Sequence, residues 1–170
     1  GSVNPIRDKE IIDTELQLKD LETIETRLPK VEKAAKSGGD REAKAMLEIL
    51  KKYKAVLEQG KSARTVTFES KDDIKLAKEL CLLTAKPVLY VCNVDEKSAV
   101  NGNKYTEQVE KIAKEEGAEI LIVAAKIESD IAEFETLEEK QMFLEELGLE
   151  ESGVARLIKK AYHLLNLQTY

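Results

Sequence analysis

Pro87-Val88-Leu89-Tyr90-Val91-Cys92-Asn93-Val94-Asp95-Glu96 decides the fold of this 170-residue chain. Val88 to Cys92 is a short, unbroken apolar run rich in β-branched residues, the pattern of a strand buried on both faces. Ile120-Leu121-Ile122-Val123 repeats it, and Tyr105 to Glu116 between them reads as a helix ended by Gly117. The unit is β-α-β, so the two strands lie parallel with a right-handed crossover. The predicted class is α/β and helix-rich.

Upstream, Asp8 to Lys36 carries an apolar stripe at Ile11, Leu18, Leu21, Ile24, Leu28, Val31 and Ala35, one face of a long helix, with a kink expected at Pro29. Ser37-Gly38-Gly39-Asp40 reads as a turn with Asp40 capping a second helix to Gln59, stopped by Gly60. The two faces read as matched in length, an antiparallel coiled-coil hairpin that projects from its attachment. An extended stretch near Arg64 to Phe68 then leads to a helix from Lys71 to Leu83 capped by Ser70. Downstream, helices are expected over Ile127–Phe134, over Thr136–Leu147 behind a Thr-Leu-Glu-Glu capping box, and over Gly153–Asn166 behind Ser152. The expected division is a hairpin over 3–63 and a sheet-bearing part over 64–170.

Hydrophobic residues at 42%, charged residues at 35%, and only 8 Gly and 3 Pro exclude disorder and low complexity. With 5% aromatics and no Trp, a stacking platform for single-stranded nucleic acid is not expected. The net charge of −6 argues against a broad phosphate-binding surface. Its distribution is uneven: Glu128 to Glu151 holds ten acids against Lys140 alone, a local −9, whereas the hairpin tip around Lys33, Lys36 and Arg41 is mildly basic. A solvated helix face and a contact with RNA or an acidic protein both fit that tip. Cys81 and Cys92 read as buried apolar thiols of a reduced, cytoplasmic protein, with no metal-ligand spacing. No run approaches a membrane span, so no membrane partner is expected. Gly1-Ser2 resembles the scar of a cleaved tag. The lone His163 reads as packing or surface, and no nucleophile with a base partner is visible, so no catalytic residue is assigned.

Ligands of open parallel sheets bind beyond the carboxyl ends of the strands. Asn93-Val94-Asp95-Glu96 follows the first strand and Ala124-Ala125-Lys126 the second. An amide and a carboxylate there can grip a purine edge, although Asn and Asp also end strands simply by turning.

These two loops resemble, in altered form, the N-K-x-D and S-A-K base-recognition motifs of P-loop GTPases. More specifically, Asn4 to Asp8, Leu82 to Glu96, Lys114 to Glu119, Phe143 to Leu149 and Leu164 to Tyr170 are similar to the YchF subfamily of Obg-like GTPases. The resemblance implies a G domain interrupted by a coiled-coil hairpin and followed by a TGS domain. Val3 to about Ala63 then corresponds to the hairpin, and Pro87 to Tyr170 to the C-terminal half of a P-loop-type G domain. No G-x-x-x-x-G-K-[ST] occurs in the chain, so the phosphate loop and its Mg²⁺-binding hydroxyl are missing and the chain reads as an excerpt. By resemblance Asn93, Val94 and Glu96 face the base, with Ala125 and Lys126 framing its other side. Val94 stands where the motif has Lys and Glu96 where it has Asp, a longer side chain that shifts the carboxylate and agrees with the family's use of ATP. Asp95 falls at the variable position and is expected only to be solvated. The resemblance further implies ATP or GTP with Mg in the full-length parent, association with the ribosome through the hairpin, and weak nucleotide binding with no turnover in the isolated chain. An exposed sheet edge leaves self-association as an expectation.

Overall fold

The computed structural model describes residues 3–37 and 41–168. The turn expected over 38–40, with Asp40 as cap, lies outside them, as do Gly1-Ser2 and residues 169 and 170. Packing divides the chain into two units, one over Arg7–Lys86 and one formed by residues 3–6 with 87–168.

In the first unit, α1 (Pro5–Lys36) and α2 (Arg41–Leu57) form the hairpin. α1 is helical on both sides of Pro29, whose ring removes the backbone donor to the Glu25 carbonyl. The helices do not match in length: 32 residues against 17, about 48 Å against 26 Å at 1.5 Å per residue. Only part of the α1 stripe is therefore covered. Ile24 is fully buried, Leu21, Leu28 and Val31 pack partly, and Ile11 and Leu18 stay exposed.

The segment after the hairpin, expected with the sheet, packs on the helices instead. A 3₁₀ turn at Ala63–Thr65 precedes an extended stretch whose Phe68 meets Tyr53 edge-on at 5.5 Å. α3 (Lys71–Glu79) then adds Leu76 and Ala77 to the Ile49, Leu50, Tyr53 and Leu57 core. This is a helical unit of three helices and not a bare two-stranded arm. α3 stops earlier than the expected Leu83 because Cys81 adopts φ 51°, and Leu83 to Ala85 form a second 3₁₀ turn. Cys81 is consequently exposed, not buried as its composition suggested.

That second turn is anchored by an acid one helix away. Asp20 is 2% exposed, and its carboxylate accepts from the Leu83 N–H, the Thr84 N–H and the Thr84 hydroxyl, each at 2.7 Å. The same hydroxyl accepts from the Ala63 N–H at 2.8 Å. One carboxylate thus ties α1 to both 3₁₀ turns.

In the second unit β1 (Leu89–Asn93) and β2 (Glu119–Val123) pair in parallel, Leu89 opposite Glu119 and Asn93 opposite Val123. The crossover helix α4 (Lys104–Glu116) starts at an Asn103–Thr106 capping box and ends at Gly117 in the left-handed region. α5 (Ala125–Glu133), α6 (Leu137–Glu146) and α7 (Gly153–Leu164) follow, with the expected Thr136–Glu139 box and Ser152 cap in place. Ala99, Ala124, Ile127, Ile131 and Leu144 form its core, with the Phe134 and Phe143 rings 5.2 Å apart.

The β1 strand is not buried on both faces as its unbroken apolar run suggested. Val91 is 50% exposed and Cys92 half-buried, because among the described residues the sheet has two strands and helices do not cover the Val91 side. The edge of β2 away from β1 is partly closed. Carbonyls alternate along a strand, and the Ile122 carbonyl accepts from the Arg156 guanidinium of α7 at 2.9 Å. Among the described residues no helix is long and apolar enough to cross a membrane.

Candidate functional site

The parallel register brings the ends of β1 and β2 side by side, and with them both predicted loops. The Val94 N–H still donates to the Val123 carbonyl at 2.8 Å, extending the ladder one residue past the strands. The loops are then stitched by two side chains. The Asn93 Oδ1 accepts the Ala125 N–H at 3.0 Å, and the Lys126 Nζ lies 2.7 Å from the Glu96 Oε1.

Each bond answers a local need. Ala125 opens α5, and the Ala124 cap has no side-chain oxygen to receive the orphan amides of the first turn. Asn93 supplies one from the neighbouring strand. Since a backbone N–H can only donate, this bond commits the Asn93 oxygen inward and leaves its NH₂ as the outward group. Glu96 begins a 3₁₀ turn, Glu96–Ser98, whose cap is Asp95.

Asp95 is therefore more than the solvated bystander expected. Its carboxylate accepts the Ser98 N–H at 2.9 Å, and the Ser98 hydrogen bonds hold its carboxyl below the ordinary carboxylate range. The Glu96 hydrogen bond, with Asp130 adding attraction, raises the Lys126 ammonium above its usual value, so the ammonium stays charged at neutral pH. Glu96, Ala125 and Lys126 are exposed, Asn93 is exposed at the strand end, and Val94 is half-buried between them. The five predicted base-site residues thus converge on one mouth.

The Glu96–Lys126 pair is the feature that pattern reading missed. Its signal was present: opposite charges, each shortly after a buried strand, in strands that must be neighbours. The predicted hairpin residues belong to the other unit. Lys33 and Lys36 are exposed in the last turn of α1, and Arg41, first residue of α2, lines a groove of about 390 Å³ with Ser70, Asp72, Asp73, Lys75 and Glu79. His163 is exposed, its Nδ1 3.2 Å from the Glu119 carboxylate. Among the described residues no cluster of His, Cys, Asp and Glu has the makings of a metal site.

No family model matches the chain. Curated relatives align over its whole length: the ribosome-binding ATPase YchF of Bacillus subtilis at 51% identity and that of Escherichia coli O157:H7 at 45%, each with 46% of its own length covered. The chain belongs to the YchF family. It spans about half the length of the curated relatives it matches. Obg-like ATPase 1 of Rattus norvegicus is 35% identical, with 43% of its length covered. The fold agrees: a solved YchF GTPase from Schizosaccharomyces pombe superposes with a TM-score of 0.84 at 31% identity, over 98% of this chain and 45% of that one. The likeness spans the helical hairpin and the partial parallel sheet alike, so the α/β, helix-rich assignment holds for the chain as a whole.

Proposed function

We propose that this chain is the hairpin-bearing part of a longer cytoplasmic nucleoside triphosphatase, and that the mouth formed by Asn93, Val94, Glu96, Ala125 and Lys126 receives the nucleotide base. The observation that carries this is the Asn93–Ala125 hydrogen bond, which fixes the amide with its donors outward at the carboxyl end of a parallel strand pair. Beside it, Glu96 presents an acceptor. A donor next to an acceptor complements the N7 and exocyclic amine of adenine, whereas guanine offers two acceptors, N7 and O6, along that edge. ATP is the nucleotide this pairing favours.

The phosphates and Mg²⁺ are a different matter, since the chain has no glycine-rich phosphate loop. They fall to residues outside it, and the 170-residue chain alone is inactive as a triphosphatase. In the full-length protein, ATP competes with a bound fluorescent nucleotide more strongly than GTP does, and Asn93→Ala weakens ATP by about tenfold, as loss of one hydrogen-bond partner implies. A clear preference for GTP sinks the reading.

A second role is favoured by the exposure of Lys33, Lys36 and Arg41 at the turn end of the hairpin, and by relatives named ribosome-binding ATPases. The basic end contacts the ribosome. Changing these three residues to Glu lowers co-sedimentation of the full-length protein with ribosomes by about an order of magnitude at low salt, as removing several phosphate contacts implies. Unchanged co-sedimentation assigns the contact elsewhere.

A further inference from the structure

We propose that Lys126 is a positioning residue: by holding one oxygen of Glu96, it keeps the carboxylate where it penalises guanine, and so sets the adenine preference of the mouth. The inference rests on the base-site reading above and adds to it the residue that makes the discrimination firm.

Glu96 is exposed and its side chain has three rotatable bonds, so left alone it samples many rotamers. Two contacts restrict it. Its backbone opens the 3₁₀ turn that Asp95 caps through the Ser98 N–H, and its Oε1 is engaged by Lys126 at 2.7 Å. Lys126 in turn leaves the first turn of α5, where the preceding Ala125 N–H is tied to Asn93. Asp130, one turn further along α5, adds a second attraction that keeps the ammonium charged. Asn93, Ala125, Lys126 and Glu96 therefore close a ring across the two loops, which leaves over the ammonium donors of Lys126 that Glu96 does not take, the Asn93 NH₂ and the Glu96 Oε2.

Fixed spacing between that donor and that acceptor is what separates the two purines. A held carboxylate meets the exocyclic amine of adenine and confronts O6 of guanine, acceptor against acceptor. A carboxylate free to swing withdraws from O6 or reaches the N1–H and 2-amino group of guanine instead. Loss of Lys126 thus acts on the ratio of affinities, leaving adenine binding through Asn93 in place.

The test is a competition titration of the full-length protein with ATP and GTP against a fluorescent nucleotide. Lys126→Met narrows the ratio of the two dissociation constants by about two- to fivefold, the range of exposed ion pairs. Lys126→Arg restores it, because a guanidinium can hold the same carboxylate oxygen. In a Glu96→Gln background, Lys126→Met has no further effect. An unchanged ratio in Lys126→Met, or an equal loss for both nucleotides, overturns the positioning role while the base site stands. If Glu96→Gln and Asn93→Ala themselves leave both affinities untouched, the base site falls, and the role of Lys126 with it.

Discussion

Asp20→Ala destabilises the helical unit by about 3–5 kcal/mol, since each buried donor left without an acceptor costs roughly 1–3 kcal/mol. The size follows from what is left behind. Three donors, the Leu83 and Thr84 amides and the Thr84 hydroxyl, point at one carboxylate in a site 2% exposed, where water cannot replace it. Asp20→Asn costs less, about 1–3 kcal/mol, since one carbonyl oxygen remains while its NH₂ faces N–H donors. Thr84→Val removes the hydroxyl that relays the network to the Ala63 amide, and its cost is not additive with Asp20→Ala because they share a bond. Hydrogen exchange at the Leu83 and Thr84 amides reports the change directly, and urea unfolding followed by helical circular dichroism gives its magnitude. A loss under about 1 kcal/mol for Asp20→Ala means the carboxylate is not what holds the 3₁₀ turns to α1.

Asp20 also shows where sequence reading ends. In the chain it is one acid among many on a polar helix, and its partners lie more than 60 residues on, so neither periodicity nor capping patterns point to it. The same long-range packing moved residues 64–86 onto the hairpin: Leu76, Ala77 and Leu80 have helical spacing, which says that they are buried but not against what. Local chemistry was legible. The Thr136–Glu139 box, the Ser152 cap and the Gly117 stop each satisfy orphan groups within a few residues, whereas the Asn103–Thr106 box went unread. The meeting of the two loops was legible for a different reason, since two apolar runs joined by one helix must lie parallel, and their next residues must then be neighbours. What pattern cannot supply is the coverage of each face. Val91 is half exposed in a run that reads as wholly buried, because burial depends on the layers around a strand and not on its own composition.

Gly153→Ala destabilises the sheet-bearing unit by about 1–3 kcal/mol, although alanine is the better helix former by about 1 kcal/mol. The opposing term is steric and electrostatic together. A Cβ at Gly153 falls 2.8 Å from the Glu128 Oε1 and 2.8 Å from the Val123 Cγ1, so either the strand residue or the carboxylate must give way. Val123 is held in the ladder, and Glu128 is the movable one. Yet Glu128 accepts the Gly153 N–H at 2.6 Å and the Val154 N–H at 3.1 Å, completing with Ser152 the cap of α7. Its negative charge also sits at the positive end of the α7 dipole. Displacing it strands a buried amide, worth about 1–3 kcal/mol. If the substitution acts through that displacement, Glu128→Ala and Gly153→Ala cost less together than the sum of their separate costs, by about 1 kcal/mol in a thermal or urea double-mutant cycle. Strict additivity instead assigns the whole cost to contact with Val123. Glu128 belongs to α5, the helix that also presents Ala125 and Lys126, so the α7 cap anchors the helix on which one wall of the proposed base site is built.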